Sequence, residues 1–168
     1  IYGRTKKNKI ENYIPQLQIV FVNTQFTDKA EKWLDCQLQS DLFTVTFVTS
    51  VEGGAEAIDI SQSQDVFGIE RGFEDAFYFI GHEFIIYLLM NVLANENAFK
   101  TFDTWEATEG LTEYYLKKIM GNIRFKEHRK YVEYYEKCEK KVPLSPVELY
   151  RQALKDAAIL KHNERGFA

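Results

Sequence analysis

Apolar residues fall at two different spacings along the chain, and the spacing assigns most of its elements. Leu17 to Val22 is a short apolar, β-rich run that reads as a strand. Asp28 to Gln39 carries Ala30, Trp33, Leu34 and Leu38 at helical spacing behind Thr27, a suitable cap. Leu42 to Thr49 is crowded with β-branched and aromatic residues, Glu52-Gly53-Gly54 interrupts it, and Ala55 to Ile60 resumes with alternation. Two strands around a glycine turn or bulge are the expectation. Ser61 to Gly72, polar and glycine-bearing, reads as a loop.

From Phe73 the pattern turns helical and apolar on every side, the mark of a helix at the centre of a core. After a polar break at Asn95 to Thr101, Thr104 to Met120 predicts a second helix that stops at Gly121-Asn122. The short connection lets the two helices pack side by side. Lys126 to Lys141 predicts a charged, tyrosine-rich helix. Ser145-Pro146 opens a last helix with Leu149, Leu154, Ala157 and Leu160 on one face. Repeats, low-complexity tracts and linkers are absent from the sequence.

Composition narrows the classes. The 168 residues are 45% hydrophobic, enough for one domain with a real core, and residues 1–168 are read as a single unit. The first residue is Ile, so a piece of a longer protein is among the expectations and compartment stays open. The net charge of −4 and the lack of a broad basic stripe disfavour nucleic acid as a partner. Phe77 to Ala94 raises the question of a membrane span, but His82 and Glu83 in its middle argue for a buried helix instead. Cys36 and Cys138 form neither a disulfide framework nor a metal-binding pair motif.

The chemistry, if any, concentrates at two places. Gly81-His82-Glu83 sits inside the apolar helix, and a helical His followed by Glu is how zinc peptidases set a ligand beside a general base. Such a site needs a second His four residues on, where both rings share one helix face, and that position is Ile86. Tyr87 is turned a further ~100° around the helix and offers a phenol, a poor zinc ligand at neutral pH. The second place is Trp105-Glu106-Ala107-Thr108-Glu109-Gly110-Leu111-Thr112-Glu113-Tyr114. Glu109 and Glu113, four apart, can divide the work: one binds a metal, the other orients the liganding histidine through its far nitrogen.

With these strings in order, Thr46 to Met120 resembles the gluzincin metallopeptidases, in particular the aminopeptidase N-like and glycyl aminopeptidase-like families. Glu109, Gly110, Glu113 and Tyr114 match the family pattern E-G-x-x-E-Y, with Trp105 also of family type. The resemblance implies that His82 and Glu109 are zinc ligands and that Glu83 is the base activating a zinc-bound water. It gives Glu113 the orienting role. It implies further that Gly53, Gly54 and Glu56 form the glycine-rich strand whose Glu holds a substrate's amino group. The implied fold is α+β, a thermolysin-like catalytic domain with a small N-terminal sheet followed by a helical bundle.

Ile86 divides the functional expectation. One branch is a zinc aminopeptidase hydrolysing peptides through metal-activated water, with zinc weakly held. The other is a catalytically inactive pseudopeptidase that binds a peptide or protein. Against both stands an unrelated domain in which the strings coincide by chance, His82 is a core residue, and Glu113 pairs with Lys117 on a solvated face. Tyr131 to Tyr135 are expected at a core edge, and His128 and His162 in solvent.

Overall fold

The structure is a computed structural model that describes residues 2–38, 43–48, 55–59, 64–68, 73–98, 100–121 and 128–157. The chain opens on two helices, α1 (Tyr2–Thr24) and α2 (Phe26–Leu34). Three short strands follow: β1 (Thr44–Val48), β2 (Ala55–Asp59) and β3 (Gln64–Gly68). Four helices complete it: α3 (Phe73–Val92), α4 (Phe102–Met120), α5 (Arg129–Glu139) and α6 (Pro146–Lys155).

The fold is therefore predominantly helical, and the expected α+β, thermolysin-like domain with an N-terminal sheet is corrected. Among the described residues six helices stand against three strands of five residues each, and the sequence begins with helix. Leu17 to Val22, read as a strand, lies inside α1. Five apolar residues around Gln18 cannot distinguish strand from helix by themselves. Tertiary packing decides it: Tyr13, Leu17 and Phe21, four apart, all turn to the cluster built around Ala76 and Ile80 of α3. Ser61 to Gly72, read as a loop, contains β3, the central strand of the order β1-β3-β2. β3 runs parallel to β1 and antiparallel to β2.

The helix ends follow local chemistry. Thr101 caps α4, its hydroxyl accepting from the Thr104 N–H while the Thr104 hydroxyl accepts from the Thr101 N–H. Gly121, at φ 85°, closes the same helix by donating to the Lys117 carbonyl. Ser145 and Glu148 form the equivalent box on α6, with Pro146 in the first turn. α2 starts earlier than expected, so Thr27 lies within it, and it ends at Leu34 with Asp35 in the left-handed region at φ 48°.

α3 is the central helix, as its all-round apolar pattern implies, with Tyr78, Phe84, Ile85, Tyr87, Leu88 and Leu89 all buried. It packs on α2, α4 and β2, and α4 in turn carries α5 and α6. Tyr131 and Tyr135 are fully buried rather than at an edge, and the Tyr135 hydroxyl donates to the Ala107 carbonyl at 2.9 Å. Gly110 lets α5 come close: a Cβ there would lie 2.2 Å from the Tyr131 Cβ. Among the described residues no helix is long and apolar enough to cross a membrane.

Candidate functional site

Helical spacing lines up Tyr78, His82 and Ile86 on one face of α3, four residues apart, and Glu109 and Glu113 on the facing side of α4. Where the helices meet, the His82 ring lies between the two carboxylates. Nδ1 is 2.9 Å from Glu113 Oε1 and Nε2 is 3.1 Å from Glu109 Oε2. The Tyr78 hydroxyl donates to the other Glu113 oxygen. Glu113 is wholly buried, and His82 is 5% exposed. The Thr108 and Thr112 hydroxyls donate to carbonyls of their own helix, at 2.7 and 3.0 Å.

Two carboxylates facing two ring nitrogens call for a proton on each nitrogen, so His82 is an imidazolium. Burial is the largest influence on its pKa and opposes the charge, but hydrogen bonds and Coulomb attraction from Glu109 and Glu113 outweigh it, raising the pKa to about 10. A cation deep in the core is tolerable because it is paired on both sides.

The sequence-chosen residues are thus partly assembled. His82, Glu109 and Glu113 meet, with Glu113 on His82 Nδ1 and Glu109 on Nε2. Glu83 is buried next to His82 in α3. Glu56 lies in β2 opposite Val66, and β2 lies against α3. Gly53 and Gly54 lie outside the described residues, as does His162. Glu113 does not pair with Lys117, which bonds to Glu136 of α5 instead. His128, expected in solvent, is buried, its ring edge-on to Trp105 with ring centres 5.7 Å apart. Sequence reasoning missed Tyr78. Its signal was available: it stands four residues before His82 and therefore on the same helix face.

The donor set does not fit a resident zinc ion. His82 and Glu109 offer one nitrogen and one carboxylate, and buried Ile86 presents only hydrocarbon at the position that would supply the third ligand. Among the described residues no group of three His, Cys, Asp or Glu side chains is arranged to hold a metal.

Beside the cluster, α4 carries an aromatic pair towards solvent. Phe102, 66% exposed, stacks on Trp105, 39% exposed, with ring centres 6.1 Å apart. Trp105 is one helical turn before Glu109. Compared with models of protein families, with curated proteins and with solved structures, the chain matches none.

Proposed function

We propose that this chain is a pseudopeptidase: it keeps the His–Glu pairing of the gluzincin peptidases on a mainly helical frame and binds a peptide or protein without hydrolysing it. The observation that carries the reading is His82 held on both ring nitrogens by Glu109 and Glu113, with Ile86 filling the next turn of the same face. A peptidase of this kind needs three protein ligands around its water, and Ile86 offers none at the position of the third. The exposed Phe102–Trp105 pair, one turn from Glu109, is the surface on which a peptide side chain would stack. The competing reading is a working zinc aminopeptidase with Glu83 as base. It needs a third protein ligand that the described residues do not supply.

Elemental analysis of protein purified without added zinc, beside Ile86→His, separates the two. The expected result is no stoichiometric zinc and no turnover of fluorogenic aminoacyl substrates in the wild type, with zinc gained in Ile86→His. About one zinc per chain in the wild type, with turnover, would establish the peptidase instead. Binding is read on an array of short peptides: retention that weakens in Trp105→Ala supports the proposal, and an array on which no peptide is retained rejects it.

A further inference from the structure

On the opposite side of α3 from His82 lies an apolar pocket of about 480 Å³ that opens to solvent. Ile80 and Phe84 reach it from α3. They stand two residues before and after His82, roughly 200° around the helix, so the cavity and the imidazolium cluster share a helix but no wall. The second wall is one face of an extended segment: Phe43, Val45 and Phe47 alternate into the cavity, while Thr44 and Thr46 point to solvent. The third wall is α1, which contributes Ile14, Leu17, Phe21 and Val22.

The three walls meet at the base, where Leu17 and Ile80 are buried with Phe21, Val45 and Phe47 packed against them and Phe43 meets Phe84 edge-on. They part towards solvent, where Ile14 and Val22 are exposed. The pocket opens to solvent between Ile14 and Val22, so its apolar lining is surface that a ligand would take out of water. The volume falls within the 300–1,000 Å³ range of small-molecule sites, which are apolar with a few polar groups to orient the ligand. Those polar groups are Gln18 and Thr27, both exposed and therefore at the mouth. No Lys, Arg, His, Asp or Glu is among the described lining residues, so these residues provide no charge to offset the desolvation of an ionised ligand.

We propose that this cavity is a binding site for a neutral, largely hydrocarbon small molecule with one hydrogen-bonding end, of the class of a medium-chain alcohol. The hydrocarbon lies along Leu17, Phe21, Val45 and Ile80, and the polar end sits at Gln18 and Thr27. The site is independent of the peptide-binding surface on α4.

The test is fluorescence titration with N-phenyl-1-naphthylamine, a neutral apolar dye, followed by displacement with 1-decanol and with decanoate. Saturable binding of one dye per chain is expected, with decanol displacing it at concentrations about tenfold or more below decanoate. Val45→Trp and Val22→Trp, which fill the space from two walls, are each expected to weaken dye binding about tenfold or more with the far-UV circular dichroism unchanged. If Val45→Trp disturbs the sheet, Val22→Trp, on an exposed turn of α1, decides alone. Non-saturating fluorescence, equal dye binding by Val22→Trp, or decanoate competing as well as decanol would overturn the proposal. So would dye binding that disappears as the protein dimerises, which would assign the cavity to a second copy of the chain.

Discussion

The two faces of α3 solve opposite problems. Towards α4, Tyr78 and His82 present polar atoms, and each meets a partner: hydroxyl to carboxylate, ring nitrogens to two carboxylates. Towards α1 and β1, Ile80 and Phe84 present only hydrocarbon, and the neighbouring elements close on them at the base but part above it to leave an open pocket. A buried charge tolerates no vacancy, because an unpaired ion in the core costs several kcal/mol, whereas apolar walls can part at the much smaller cost of lost dispersion contacts. The difference teaches where change is permitted: the polar junction must be complete or absent, and the apolar one can open.

Removing one partner from the complete side is the harshest test of that contrast. Glu113→Ala leaves the His82 cation and the Tyr78 hydroxyl without their shared acceptor. A loss of about 3–5 kcal/mol in chemical denaturation is expected, with Glu113→Gln milder because the amide oxygen still accepts. A loss below 1 kcal/mol in Glu113→Ala would mean that the cluster does not join the helices.

Raising the pH attacks the same side without mutation. The folded-state pKa of His82, about 10, lies above the ordinary 6.5, so the folded state binds this proton more tightly than the unfolded chain does. The stabilisation is full below pH 6.5 and is lost as the pH climbs towards 10. Between pH 7 and 9.5 the unfolding free energy is expected to fall on the order of 3 kcal/mol. The histidine ring signals should titrate in the same high range by NMR. A His82 resonance titrating near 6.5 would remove the imidazolium from the account.

The smallest effect belongs to the open side. Val22, 73% exposed on the rim of the cavity, replaced by Ala should change stability by less than about 0.5 kcal/mol. A cost comparable to that of Glu113→Ala would mean that the cavity wall is as tightly specified as the ion cluster.

These differences also explain what the sequence could disclose. α3 and α4 were legible because a long helical period and strong end signals, Gly121 above all, do not depend on neighbours. The meeting of His82 with Glu113 was legible for a related reason: Glu109 and Glu113 are four apart, so one face carries both, and only the facing helix had to be supplied. β3 was hidden because Gln64 to Gly68 has no run of alternating apolar residues, and its strand character comes from pairing on both edges with β1 and β2. α1 was hidden because its apolar residues occupy more than one side. Ile14, Ile19 and Val22 stay exposed, which blurs the period that Tyr13, Leu17 and Phe21 would otherwise have shown. Tyr78 was overlooked because an apolar helix offers many tyrosine-sized core residues, and only the position of Glu113 in space singles this one out.

Gly110 gives α4 the character of a keyed shaft. On one side Tyr131 of α5 seats against its bare Cα, and about 100° away around the axis Glu109 reaches His82. Turning α4 by even a modest angle would drive the tyrosine into helix backbone while swinging both carboxylates off the ring. The azimuth of α4 is therefore set from α5, so the aim of Glu109 and Glu113 depends on a helix that contributes no atom to the cluster.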